Sequence, residues 1–139
     1  MSQKSSQLKI AIIEDDDVNR SYLEMILKKM DIMPFVINDP FEAIDLMLKE
    51  LPDILLLDIK LNCDLSGCDI ARLMRKNKIL KNIPIIVVSS FAIPREIREI
   101  KKESSCSKYV TKPFSMKTLI DVIETQLEEM VMSQETAFI

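Results

Sequence analysis

Three kinds of reactive side chain stand where short apolar runs of this 139-residue sequence end. Leu8–Ile13 runs into Glu14 and Asp15, with Asp16 and Asp17 following. Ile54–Leu57 runs into Asp58, Ile83–Val88 into Ser89 and Ser90, and Lys108–Val110 is followed by Thr111-Lys112-Pro113. Two carboxylates about 4 Å apart repel by about 4 kcal/mol at an effective dielectric of about 20. Converging acids therefore need a cation, shifted pKa values, or both. A hard divalent ion held by one or two carboxylates, a carbonyl and waters answers that need, and Mg²⁺ favours such a set. The group then has a metal to neutralise a phosphoryl group and a lysine to bind its oxygens. It also has a hydroxyl to donate to it and an aspartate to accept it. That is the chemistry of phosphoryl transfer to a carboxylate.

Composition removes the main rivals. The chain has no histidine, which excludes Ser-His-Asp and Cys-His catalysis, histidine-bound metals and phosphohistidine on this chain. Its single glycine, Gly67, excludes G-x-G-x-x-G and G-x-x-x-x-G-K-[ST] loops. The net charge of −3 argues against direct DNA binding, which needs a basic surplus on one face. No apolar run is long enough to insert in a membrane, and Met1–Gln7 has no signal-peptide core. Three scattered cysteines suit reduced thiols and a cytoplasmic location. Cys63 and Cys68, without a histidine, make an incomplete zinc set and read as incidental. The nine methionines fall largely on helix stripes, where soft packing is the default.

The elements that position these groups follow from periodicity. Leu23, Ile26, Leu27 and Met30 recur at helical spacing after the first strand. Met33–Ile37 reads as a strand, and Pro34 places it at a sheet edge. Asp39-Pro40 predicts an N-cap with proline at the first helical position and Glu42 closing a capping box, with a stripe of Phe41, Ile44, Leu48 and Leu51. Ile54–Leu57 and Ile83–Val88 are unbroken, as central parallel strands covered on both faces are. Ser66 predicts the cap of a helix buried through Ile70, Leu73 and Met74. Pro94–Glu103 reads as a thinly anchored helix, with Ile97 and Ile100 alone among charges, and weakly anchored elements are the ones that move. Met116, Leu119, Ile120, Ile123, Leu127 and Met130 make a last long helix. Strict strand–helix alternation predicts an α/β fold with one parallel sheet and helices on both faces. One domain is expected over residues 8–130, with a flexible tail at 1–7. From 131 to 139 a C-terminal tail or the frayed end of the last helix is expected.

In order and spacing, four stretches resemble the receiver domain of two-component response regulators: Ile10–Asp16, Pro52–Asp58, Pro84–Ser90 and Tyr109–Phe114. The resemblance implies a flavodoxin-like, doubly wound five-stranded parallel sheet of order 2-1-3-4-5 with five helices. It implies Asp58 as phosphoacceptor and Mg²⁺ held by Asp15, Asp58, Glu14 (mostly through water) and the backbone carbonyl of Lys60. Ser89 would hydrogen-bond the phosphoryl group, Lys112 would pair with it, and Tyr109 would be the switch residue moving inward with Ser89. Lys112-Pro113 is expected to be cis. The implied partners are a histidine kinase or histidine phosphotransfer protein as donor and a downstream protein effector. That effector would read the face of helix four, strand five and helix five, to which Met116 and Lys117 contribute. No second domain is expected after residue 130, so output would pass through partner binding or phosphorelay. The activity expected is that of a phosphoprotein, with at most weak autophosphorylation and autodephosphorylation, and not that of an enzyme. Phe91 is expected to shield the phosphoryl group from water.

The sequence departs from the family twice. Its usual Asp-x-x-x-Pro-Gly-x-x-Gly has no proline here, and Gly67 comes one residue late. Ser104–Ser107 replaces the glycine usual before the last strand. Two further readings stand beside the receiver: a degenerate receiver serving only as a docking module, and a HAD-like phosphoaspartate hydrolase reading Asp15-x-Asp17 with Asp15 as nucleophile. Against the hydrolase, Asn19 stands where Thr or Val is usual, and the chain leaves no room for a cap.

Overall fold

The computed structural model describes residues 7–137. Five strands alternate with five helices: β1 (Lys9–Ile13), α1 (Asp17–Lys29), β2 (Met33–Val36), α2 (Ala43–Glu50), β3 (Ile54–Leu57), α3 (Gly67–Lys76), β4 (Ile85–Ser89), α4 (Pro94–Ser104), β5 (Lys108–Thr111) and α5 (Met116–Ala137). The sheet is parallel throughout, in the order β2-β1-β3-β4-β5. This is the flavodoxin-like arrangement expected. Strands β3 and β4 are buried at every position, as strands covered on both faces must be.

Alternate residues of each strand feed two cores. Ile10, Ile12, Ile54, Leu56, Ile86 and Val88 pack with Leu23, Ile26 and Leu27 of α1 and Leu119 and Ile123 of α5. Ala11, Ile13, Leu55, Leu57 and Val87 face Met47 of α2, Ile70, Ala71 and Met74 of α3 and Ile100 of α4. Pro34 lies on β2, the edge strand, where its missing N–H is harmless.

Several local expectations shift. Asp39 does cap, accepting from the Phe41 amide at 3.0 Å. It caps a 3-10 turn, Pro40–Glu42, and Glu42 makes no side-chain cap of its own. The tighter turn changes the phase of the helix that follows. Ala43 and Met47 are buried, while Phe41 and Leu51 of the expected stripe are exposed. On α3, Ile70, Ala71 and Met74 are buried and Leu73 is exposed. Strand β4 starts at Ile85, two residues late, because Pro84 cannot donate to the ladder; its carbonyl still accepts from the Leu55 amide at 3.0 Å.

The last helix continues past residue 130 to Ala137. Residues 131–137 contain neither glycine nor proline, so nothing in the chain stops it. Of the expected N-terminal tail, only Gln7 is among the described residues, and it is exposed. Among the described residues, no helix is long and apolar enough to cross a membrane.

Candidate functional site

Parallel register brings the carboxyl ends of the central strands level. Ile13 pairs with Leu57, Leu57 with Val87, and Ser89 with Thr111. The residues just beyond are tied across the same edge: the Asp58 amide donates to Ile13 O at 2.9 Å, and the Lys112 amide to Ser89 O at 2.8 Å. Glu14, Asp15, Asp58, Ser89 and Lys112 thus meet at one rim because the strands that carry them end there.

Carboxylate oxygens of Glu14, Asp15 and Asp58 lie within 4.8 Å of one another. Glu14 and Asp58 are only 3% and 7% exposed, so their charges are poorly hydrated. Lys112 reaches both, with Nζ 2.6 Å from Glu14 Oε1 and 3.3 Å from Asp58 Oδ2. The peptide bond Lys112-Pro113 is cis.

One ammonium between two carboxylates leaves a negative excess. Burial, then the Glu14 charge, push the Asp58 carboxyl up to about 7, against the lowering effect of Lys112. The Lys112 ammonium is held above its ordinary value by Glu14 and Asp58, although burial opposes this. A group of this kind has room for one more positive charge. Oxygen ligands and no sulfur or imidazole make the set suitable for a hard divalent cation.

The remaining acids after β1 do other work. Asp16 caps α1 by accepting from the Asn19 amide at 2.8 Å, and Asp17 pairs with Arg20 on the helix surface. The hydrolase reading Asp15-x-Asp17 therefore has its second acid turned away to Arg20. Ser89 is fully buried, and its Oγ accepts from the Phe91 amide at 3.1 Å. Tyr109 donates its hydroxyl to Phe91 O at 2.8 Å, so both hydroxyls grip the same residue. Burial pushes the Tyr109 phenol up, with Ser89 opposing. Lys60, two residues past Asp58, has an exposed side chain.

Two further residues belong to the rim. A Cβ on Gly67 would lie 2.3 Å from Asp58 O, so the start of α3 rests directly on the Asp58 backbone. The Asn62 amide donates to Asp15 Oδ2 at 2.6 Å. The sequence signal for the first is that the chain's one glycine opens α3. The second is made by backbone, and its only trace in the sequence is the absence of proline at that place.

The family model of the response regulator receiver domain matches residues 10–124. The polar-differentiation response regulator DivK of Brucella ovis is 27% identical over 118 residues, covering 85% of this chain and 94% of the relative. Among solved structures, the chemotaxis protein CheY4 of Vibrio cholerae matches with a TM-score of 0.78 at 19% identity, over 86% of this chain and 98% of that one. The receiver domain of a sensor histidine kinase from Pseudomonas aeruginosa, with a magnesium ion coordinated in its active site cleft, matches with a TM-score of 0.77 at 23% identity. It covers 86% of this chain and 97% of that one.

Proposed function

This chain belongs to the response regulator receiver domain family, and from that premise we propose that Asp58 accepts a phosphoryl group in a two-component or phosphorelay system. One observation carries the reading: three carboxylates gathered within 4.8 Å with the Lys112 ammonium between two of them. Strand-end acids serving only as caps or turn residues would not be gathered in this way, and Asp16 and Asp17 are not among them.

In the transfer, an Asp58 carboxylate oxygen attacks the phosphorus of a phosphohistidine on a histidine kinase or phosphotransfer protein. The new P–O bond forms as the P–N bond breaks, and the imidazole leaves with the electron pair. Asp15, Asp58, Glu14 and the Lys60 carbonyl are the residues that would hold Mg²⁺, which when bound neutralises charge on the phosphoryl oxygens. Lys112 stands ready to pair with the phosphoryl group, and it is already 3.3 Å from Asp58 Oδ2. Ser89 Oγ accepts from the Phe91 amide and its hydroxyl faces Tyr109; to serve the phosphoryl group its O–H would turn to a phosphoryl oxygen. A phosphoryl group on Asp58, itself carrying about −1.5 to −2, draws on Ser89. Tyr109 responds because it shares the Phe91 backbone with Ser89.

Output then runs through α4, β5 and α5 to a protein effector. Helix α4 suits such a role because Ile100 and Ser104 alone anchor it in the core. A phosphoprotein in the cytoplasm, acting by partner binding and with at most weak turnover of its own, follows from this reading. The relative named DivK is itself called a response regulator.

The test is to incubate the protein with acetyl phosphate and Mg²⁺ and to map the modified residue by mass spectrometry. Asp58 is expected to carry the label and Asp58→Asn to carry none. Undiminished labelling of that variant, or label on Asp15, would overturn the assignment.

A further inference from the structure

The loop after Asp58 is fastened at both ends. Gly67 N donates to Ile59 O at 2.8 Å, and Leu61 is buried. Its middle, Asn62 to Asp64, is exposed, and from there one strong bond reaches back across the rim, from the Asn62 amide to Asp15 Oδ2 at 2.6 Å. Glu14 and Asp58 are positioned by Lys112; Asp15 is positioned by this loop.

We propose that the backbone N–H of Asn62 is the positioning group for Asp15 as a metal ligand. It holds one carboxylate oxygen so that the other is presented to Mg²⁺, and it thereby ties the order of the 60–66 loop to metal occupancy. The inference rests on the Mg²⁺ reading above. Ligating carboxylates are themselves held by hydrogen bonds, and loss of such a partner costs about 10–100-fold in metal affinity. An N–H to carboxylate bond of this length is charge-assisted and among the stronger ones. Any residue but proline can make it, and proline is what the resembled motif would place here. The absence of proline at position 62 is thus what leaves this N–H available for the contact. Because cation and amide each favour the same Asp15 orientation, each strengthens the hold of the other, and the coupling is reciprocal.

Two measurements on the full chain test this. Calorimetric Mg²⁺ titration compares Asn62→Pro, which lacks the N–H, with Asn62→Ala, which keeps it. Asn62→Pro is expected to bind about tenfold or more weaker than Asn62→Ala. In the wild-type protein, Cys63 is the exposed cysteine beside Asn62, and its alkylation by a maleimide, mapped by mass spectrometry, is expected to slow by about fivefold in saturating Mg²⁺. The wild-type measurement decides if Asn62→Pro fails to fold. Equal affinities in the two variants, or a Cys63 rate indifferent to Mg²⁺, would overturn the positioning role while leaving the metal site intact. A wild-type protein that binds no Mg²⁺ would overturn the site reading and this inference together.

Discussion

At the scale of single residues, Asp58 is where burial and charge are in tension. Its carboxyl stands near 7 because desolvation and the Glu14 charge outweigh Lys112. A carboxyl raised from 3.8 in this way gives the folded state a proton that the unfolded chain has already released. The stability this confers is full below about pH 4 and is lost as the pH rises through about 7. Asp58→Asn removes the buried charge that appears at high pH. It should raise stability by about 1–3 kcal/mol at pH 8 and by far less at pH 5. Urea denaturation at the two pH values checks this, and a variant no more stable than wild type at pH 8 would contradict it. Gly67 is constrained by space. Because the first atom a Cβ would meet is backbone, Asp58 O at 2.3 Å, the neighbour cannot simply rotate away. Gly67→Ala should cost about 1–3 kcal/mol through overpacking and should displace Asp58. Denaturation midpoints measure the first effect, and acetyl phosphate labelling rates measure the second.

At the scale of elements, α3 and α4 make a useful contrast. Helix α3 starts with a reciprocal capping box, Ser66 and Asp69 bonding to each other's amides. Ser66→Ala should cost about 1 kcal/mol, read as a shift in the urea midpoint. Helix α4 has no side-chain cap and is held to α3 from outside. Arg72 pairs with Glu103 at 3.1 Å, and Arg75 donates to Ser105 O at 3.0 Å. Hydrogen exchange should therefore be faster in 94–98 than in the core positions of α3, since few buried contacts must open there.

The same contrast explains what could be read in advance. The meeting of Glu14, Asp15, Asp58 and Lys112 at one rim was legible because unbroken apolar runs mark β3 and β4, and a parallel sheet must align their ends. The capping role of Ser66 was legible because it belongs to local side-chain chemistry. The stripe of α2 was misplaced because the 3-10 turn at Pro40–Glu42 resets the helical phase, and because Ala43 is small enough to be overlooked as core. Leu73 was expected inside, where Ala71 sits, because α3 opens with Gly67 and Cys68 pressed inward and the buried face follows from that start. The hold of Asn62 on Asp15 is carried by backbone and has no side-chain signature.

At the scale of the whole molecule, the sheet separates two apolar cores and delivers its unpaired negative charge to one rim. That edge is where a bound cation should report on the stability of the entire domain, since a ligand that prefers the folded state stabilises it by mass action. At ten times its dissociation constant, Mg²⁺ should contribute about 1.4 kcal/mol. The size of the effect should depend on pH in a defined direction. At pH 6 the Asp58 carboxyl, with its pKa near 7, is mostly protonated, so a metal must displace a proton to bind. At pH 8 that proton is already gone, and the repulsion it had masked is present for the cation to relieve. The Mg²⁺-induced rise in melting temperature at a fixed, sub-saturating concentration should be larger at pH 8 than at pH 6. It should fall sharply in Asp15→Asn and Asp58→Asn. Thermal unfolding of the wild-type protein and both variants, with and without Mg²⁺ at the two pH values, measures all of this. An equal rise at both pH values in the wild-type protein would mean that the cation binds without displacing a proton from Asp58, away from the three clustered acids.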